Sequence, residues 1–468
     1  MARLDADVGT NLTVQHFDLV IIGAGSGNTL LTPFFDDWKV AIIERDLFGG
    51  TCTNRGCIPS KMFVHAADVA DIARNGPRLG VSTRFDGADW RSIRDRIFGR
   101  IDPIAIAGER YRLSQPNVTV FKATTRFVGH KRLAVGDEII TGDHIVIAAG
   151  SRARMPIADG FDSVRFHTSD TIMRLDEVPE RLIVMGGGFI ASEMSHVFGS
   201  LGSRVTIVHR SPVLLRNEDD AIAMRFTEIY RRRFEVLTST QVLSVCESEG
   251  ETELEVSVDG DHRTVRGDCL LVAVGRIPNT DELAVAATGV AVDGSGFVET
   301  DAHLRTTVDG IWALGDITNP AMLKHTANAE AKVIAHNIEH PDAMKEMDRR
   351  FVPHAVFGNP QVASLGASEQ ALRDRGIPYL ASRRNYSETA YGWAMEDIES
   401  FCKVLAHRET RQLLGAHIIG PQASTLLQQL VQGMRFGQTV DEMATEQLYA
   451  HPALNEVVEQ ALLGLCER

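Results

Sequence analysis

This chain is short of cysteines, long apolar runs and positive charge, and each shortage excludes something. Six cysteines in 468 residues are too few to staple a secreted disulfide scaffold. No stretch approaches the roughly 18 apolar residues that cross a bilayer. Met1–Thr10 has neither a basic start nor an apolar centre, so it does not read as a secretory signal; residues 1–15 are expected to be a disordered tail. Positive charge is also short: 48 Lys and Arg face 62 Asp and Glu, a net charge of −14, which argues against nucleic acid or an anionic membrane as partner. The one basic run, Arg231-Arg232-Arg233, reads as a solvated helix face. No Cys or His spacing suits a metal ion. What remains is an ordinary soluble composition, 44% hydrophobic and 24% charged, long enough for roughly two to four domains. A cytoplasmic location is expected.

Two glycine-rich loops organise this length. Phe17–Ile22 is a β-branched run ending in Gly23-Ala24-Gly25-Ser26-Gly27-Asn28, and a second run, Ala41–Ile43, ends at Glu44. That is a βαβ opening: glycines let backbone approach a pyrophosphate at a helix N-terminus, and an acid about 20 residues on can hold ribose hydroxyls. Gly23, Gly25, Gly27 and Glu44 are the candidate contacts. Asn28 stands where the third glycine is usual, which loosens the helix-to-strand packing. The pattern recurs where Arg181–Met185 leads into Gly186-Gly187-Gly188-Phe189-Ile190-Ala191, followed by the strand Arg204–Val208. Here Gly186, Gly188 and Ile190 are the candidates. After that strand, where an NAD site would place an acid, stand His209, Arg210 and, six residues later, Arg216. Cations there suit a 2′-phosphate and point to NADPH.

Other strands end in the same punctuation. Ile145–Ala149 runs into Gly150, Leu271–Val274 into Gly275, and Ile311–Leu314 into Gly315-Asp316. The first two mark candidate domain boundaries. The third places Asp316 at a strand's carboxyl end, where ligands of α/β sheets bind, or where a carboxylate caps the next helix.

Between the loops lies Gly49-Gly50-Thr51-Cys52-Thr53-Asn54-Arg55-Gly56-Cys57-Ile58-Pro59-Ser60-Lys61. A disulfide needs Cα atoms about 4.4 to 6.8 Å apart, whereas five residues of regular helix climb about 7.5 Å. A pair bridged here requires a distorted helix, and Gly56 and Pro59 supply the means to bend it. The alternative is two buried thiols. Cys246, Cys269 and Cys402 read as structural, and Cys466 stands alone in the tail.

Taken with His451-Pro452-Ala453-Leu454-Asn455-Glu456 near the C-terminus, the Gly-Gly-Thr-Cys-x4-Cys segment, the two loops and the Gly-Asp strand end resemble the FAD-dependent pyridine nucleotide disulfide reductases. The match runs in that family's order from about residue 16. The resemblance implies an α/β chain with two Rossmann-like dinucleotide-binding domains, for FAD and NADP, and a C-terminal α+β interface domain that makes a homodimer. Residues 1–152 would be the FAD-binding domain, 153–275 the NADP-binding domain, 276–347 a central continuation of the first, and 348–468 the interface domain. Thr51, Ala149, Gly150 and Asp316 would join the FAD contacts, and Gly275 those of NADPH.

The same resemblance implies the chemistry. NADPH reduces FAD, and reduced FAD opens a Cys52–Cys57 disulfide. Cys57 would be the thiol against the flavin, and Cys52 the one that attacks a small-molecule disulfide. His451 would move the proton, held by Glu456 and lent by the other subunit across a cis His-Pro bond. Lys61 would set a cation beside the flavin, paired with Glu193. The helix expected after the first loop offers Phe34, Phe35, Asp36 and Asp37 where a substrate with several carboxylates would call for arginines, which suits a neutral or sugar-bearing disulfide; the alternative is plain helix surface.

Overall fold

The computed structural model describes residues 14–466. The expected tail falls mostly on residues 1–13, outside the described residues. Its last two positions do not belong to it: Val14 and Gln15 open the first strand and pair with Ile139 and Ile140.

The chain forms two compact units. The first takes in the chain up to Asn54, Gly99–Arg152 and Arg276–Asp348; the second takes in Arg55–Phe98, Ala153–Gly275 and the chain from Arg349.

In the first unit, parallel strands lie in the order Val118–Phe121, Val40–Ile43, Val14–Ile22, Glu138–Ile147, with Ile311–Ala313 also pairing to Glu138–Ile147. The near-continuous apolar runs exist because both faces are covered. Along Leu19–Ile22 the side chains alternate: Val20 and Ile22 enter a core with Phe127, Leu133 and Ile317, while Leu19 and Ile21 enter another with Phe35, Ala331 and Ile334. The register places the carboxyl ends of neighbouring strands side by side, Ile22 opposite both Ile43 and Ile147, and Ala313 opposite Ile147. Gly23, Glu44, Ala148 and Leu314 therefore leave the sheet at one edge.

The first loop does not lead into an α-helix as expected. It continues as two short 3-10 turns, Gly27–Thr29 and Pro33–Phe35. Pro33 has no N–H to give the Thr29 carbonyl, and Thr32 before it is extended, with φ −104° and ψ 170°.

The second unit repeats the parallel arrangement with Glu235–Leu237, Arg204–Val208, Arg181–Met185 and Cys269–Val272 in that order. Helix Phe189–Leu201 follows the second glycine loop, and ten of its thirteen residues are buried. An antiparallel sheet, Thr240–Ser248, Glu251–Val258 and Asp261–Gly267, adds Val245, Leu254 and Val265 to the same core. The C-terminal part is a five-stranded antiparallel sheet in the order His354–Val356, Val362–Gly366, Leu413–Ile419, Phe401–His407, Tyr379–Asn385. Helices Ala423–Arg435 and Glu456–Cys466 bury Leu427, Leu430, Val458 and Leu462 against it.

The basic run at 231–233 closes helix Asp220–Arg233. Arg231 and Arg232 are exposed, but Arg233 is not a solvated cation: it pairs with Asp71 at 2.8 Å and donates to Ser200 Oγ and the Asn359 carbonyl.

Candidate functional site

In the first unit the first glycine loop meets the segment that carries Cys52. A Cβ on Gly50 would lie 2.8 Å from Gly25 Cα, so backbone packs on backbone where any side chain would collide. Glu44, at the end of its strand, accepts from Ala24 N–H and Asp46 N–H, both at 2.8 Å. Its carboxylate is thus held at the loop, at the level where the strands end. Asn28, expected to loosen the packing, is clamped: Arg112 donates to its side-chain oxygen at 2.7 Å and to its carbonyl at 2.8 Å. Burial lowers the pKa of this guanidinium. Ser26 Oγ accepts from Lys324 Nζ at 2.8 Å and donates to Asn328 at 3.2 Å. A cradle of close-packed glycine backbone with a lysine and an acid at its rim suits an anionic dinucleotide whose ribose hydroxyls need an acceptor. Asp316 does not cap a helix; it accepts from Ser151 Oγ at 2.7 Å, which in turn accepts from Arg276 at 2.8 Å. Ala149 and Gly150 follow strand Glu138–Ile147 at the same sheet edge.

Cys52 and Cys57 are not bridged in this structure, but the helix is interrupted between them. Gly50–Asn54 is one short helix, Gly56 has φ −129° and ψ −119°, and Cys57–Asn75 is a second. Thr51 is exposed and Cys52 partly buried on the first; Cys57 opens the second and is exposed. One turn on, Lys61 Nζ reaches both oxygens of Glu193, at 2.8 and 2.7 Å. Glu193 is buried on helix Phe189–Leu201 and also accepts from Phe357 N–H at 3.0 Å, while the Lys61 ammonium sits 4.8 Å over the Phe357 ring.

In the second glycine loop a Cβ on Gly187 would sit 2.6 Å from the His209 ring, whereas one on Gly188 would meet nothing within 4 Å. Gly188 is the open face, immediately ahead of Phe189, where the helix begins, and two residues before Ile190. Arg210 and Arg216 are both exposed and both act on His209, whose imidazole is pushed down to about 4 by burial and then by Arg216 and Arg210. Leu215 N–H, beside Arg216, donates to the Gly187 carbonyl at 2.7 Å, and Gly275 leaves the adjacent strand end after Val272.

Near the C-terminus the His451–Pro452 bond is cis, and His451 Nδ1 lies 2.6 Å from Glu456 Oε1. The imidazole side chain is 71% exposed and the carboxylate only 13%. A carboxylate on Nδ1 fixes that nitrogen as donor and leaves Nε2 to exchange protons.

Of the four substrate-side residues, Phe35 is corrected: it is buried in the first unit's core against Trp38 and cannot face a ligand. Phe34, Asp36 and Asp37 are exposed. Sequence reasoning missed Arg112, Ser151, Lys324 and Phe357. Lys324 alone had a local signal, a cation at the start of a helix eight residues after the Gly-Asp strand end. Cys269 and Cys402 are buried and their thiols pushed up to about 12, but Cys246 is exposed. Among the described residues no helix is long and apolar enough to cross a membrane, and no group of His, Cys, Asp or Glu could hold a metal ion.

Comparison with known proteins matches residues 17–331 to the family described as pyridine nucleotide-disulphide oxidoreductase, and residues 352–462 to its dimerisation domain. Mycothione reductase of Mycobacterium tuberculosis is 44% identical over 97% of this chain and 100% of that protein. Dihydrolipoyl dehydrogenase of Chlamydia muridarum is 31% identical over 96% of this chain and 97% of its own. Among solved structures, the HOCl-induced flavoprotein disulfide reductase RclA from Escherichia coli superposes with a TM-score of 0.84 at 25% identity, covering 95% of this chain and 99% of that one.

Proposed function

The chain belongs to the pyridine nucleotide-disulphide oxidoreductase family, and we propose that within it the substrate is mycothione, reduced to two molecules of mycothiol. It is a flavoprotein disulfide oxidoreductase with FAD and NADPH as cofactors, and it carries the family's dimerisation domain. The finer assignments are ours. Residues 1–152 and 276–347 hold FAD, 153–275 hold NADPH, and 348–468 make the dimer. The reaction runs in a reducing cytoplasm, where a disulfide of this kind turns over.

FAD, when bound, supplies the two-electron relay between NADPH and the cysteine pair that no side chain can carry. Gly23, Gly25, Gly27, Glu44, Thr51, Ala149, Gly150 and Asp316 hold it, and Lys61, fixed by Glu193, sets a cation beside it. Gly186, Gly188, Ile190 and Gly275 hold NADPH, and Arg210 and Arg216 take its 2′-phosphate. Once Cys52 and Cys57 are reduced, His451 Nε2 takes the Cys52 proton and the Cys52 thiolate attacks one sulfur of the substrate disulfide. An S–S bond forms to Cys52, the substrate S–S bond breaks, and the first half leaves as a thiolate that takes that proton back from His451 Nε2. Cys57 then gives up its own proton and attacks the Cys52 sulfur, the mixed disulfide breaks as the internal one is restored, and the second half leaves as a thiolate that takes the Cys57 proton.

The observation that carries this reading is the His451–Glu456 pair at 2.6 Å, a base and its orienter. With 71% of its side chain exposed in one chain, the imidazole is open to a second subunit of a homodimer, which receives it as the base for its own Cys52.

The test is initial-rate NADPH oxidation with mycothione, glutathione disulfide and lipoamide side by side. Mycothione is expected to give the highest kcat/KM by at least about tenfold, a difference of about 1.4 kcal/mol in transition-state binding. Equal or better turnover of lipoamide with NADH would overturn the reading in favour of a dihydrolipoyl dehydrogenase; preference for glutathione disulfide would overturn the substrate alone.

A further inference from the structure

The segment that carries Arg216 is pinned at two points. Leu215 N–H donates to the Gly187 carbonyl at 2.7 Å, and Glu218 N–H closes a turn on the Leu215 carbonyl at 2.9 Å. Arg216 stands in that turn. Beyond it, Glu218 and Asp219 are both buried, and neither is satisfied by its own domain alone. Asp219 takes Lys403 Nζ on both oxygens, at 2.7 and 2.9 Å, and the Glu369 N–H at 3.0 Å. Glu218 takes Ser364 Oγ at 2.6 Å and His354 Nε2 at 2.8 Å. Lys403 and Ser364 lie on strands Phe401–His407 and Val362–Gly366 of the C-terminal sheet, and Lys403 is itself buried.

Stability alone is a weak reason for such a cluster, because apolar residues of the same shape would cost less to bury. A fully paired buried network fixes geometry instead. Burial opposes ionisation of Glu218, and His354 and Ser364 outweigh it, so its carboxyl sits below the usual range; burial is likewise outweighed at Asp219 by Lys403 and the Glu369 N–H. Both acids stay charged and both stay bound. The side chain two residues ahead of Glu218 then starts from a backbone with little freedom, and an arginine whose base is fixed loses less entropy when it meets a phosphate.

We propose that Lys403 and Ser364, in the C-terminal sheet, are positioning residues for the 2′-phosphate of NADPH, acting through Asp219 and Glu218 on Arg216. This rests on the reading of Arg216 as a 2′-phosphate contact. Loosening the anchor should leave the hydride-transfer geometry and the adenine and nicotinamide contacts intact, and weaken only the discrimination between NADPH and NADH.

The experiment uses the FAD-loaded dimer and the variants Ser364→Ala, Lys403→Met and Arg216→Ala. The readouts are kcat and KM for NADPH and for NADH, and calorimetric binding of adenosine 2′,5′-bisphosphate against 5′-AMP. Ser364→Ala and Lys403→Met are expected to raise KM for NADPH and weaken bisphosphate binding by roughly 5- to 10-fold, while kcat, KM for NADH and 5′-AMP binding stay within about twofold. Parallel changes for NADPH and NADH, or no change in either, overturn the proposal. Arg216→Ala separates the two levels: if it leaves the NADPH-to-NADH ratio unchanged, the 2′-phosphate reading falls and the proposal with it. If Arg216→Ala collapses the ratio and the anchor variants do not, only the proposal falls. Ser364→Ala keeps the Lys403–Asp219 pair and decides the matter by itself should Lys403→Met fail to fold.

Discussion

Replacing Lys61 by methionine should cost far more stability than replacing Glu193 by glutamine, although both remove the same ion pair. The reason is that the partners are unequally buried: the Lys61 side chain is 34% exposed and that of Glu193 only 4%. In Lys61→Met the carboxylate stays in the interior with the Phe357 N–H, 3.0 Å away, as its remaining partner. An uncompensated buried charge of this kind costs about 3–5 kcal/mol. In Glu193→Gln the amide oxygen still accepts from Phe357 N–H and from Lys61, and the lysine, a third exposed, recovers water; the loss is about 1 kcal/mol. At about 2.1 cal/mol/K of unfolding entropy per residue, 468 residues melting together shift by about 1 °C per kcal/mol, so the first variant should melt roughly 3–5 °C low and the second about 1 °C low. The assay is thermal and urea unfolding of the FAD-loaded protein, followed by far-UV circular dichroism and by release of flavin fluorescence. The double variant supplies the control: with neither charge present, it should be more stable than Lys61→Met. Equal losses in the two single variants, or a larger one in Glu193→Gln, would refute the argument that burial of the carboxylate dominates.

Two further outcomes follow from the glycine loops. Arg112→Ala removes both bonds that clamp Asn28, so the purified protein should retain less FAD, read as a lower 450 nm to 280 nm absorbance ratio; full flavin content would show the clamp to be dispensable. His209 has its folded pKa depressed to about 4 against about 6.5 unfolded, so the unfolded chain binds the extra proton between those values. Stability should therefore fall as pH drops from about 6.5 to about 4, by less than about 3 kcal/mol from this residue, since its partial exposure to solvent screens the charge. His209→Asn should flatten that part of the urea-midpoint profile, and an unchanged slope would count against the burial of a neutral imidazole there.

The parts of the fold that can be read along the chain are those whose cause is local. The run Leu19-Val20-Ile21-Ile22 announces a strand buried on both faces because alternate side chains enter two cores, and the glycines that follow mark where it must end. His451 and Glu456 are five residues apart, so a motif can hold both. Lys61 and Glu193 are 132 residues apart, and Lys324 and Ser26 are 298 apart; no periodicity connects them, and only the family pattern suggests the first. The place of Phe35 is lost once a helix is assumed after the glycine loop. On a 3-10 turn its ring packs against Trp38 in the core, and Pro33 is the residue that argues against the helix. The buried role of Arg233 is invisible locally because its partners, Asp71 and Asn359, come from distant segments.

A glycine loop does not set its own shape. Glycines permit a close turn, but they carry no side chains with which to hold it, so the loop's shape has to be imposed from elsewhere. In the first loop the holders are Arg112 on Asn28 and Lys324 on Ser26; in the second they are Leu215 on Gly187 and the His209 ring packed where a side chain would otherwise project. Restoring the usual glycine at Asn28 would therefore not restore a regular helix. It would remove the side-chain oxygen that Arg112 grips, while Pro33, five residues on, would still withhold the N–H that the Thr29 carbonyl needs. The loss of the helix thus follows from Pro33, and the grip of Arg112 on Asn28 holds the loop that remains in its place.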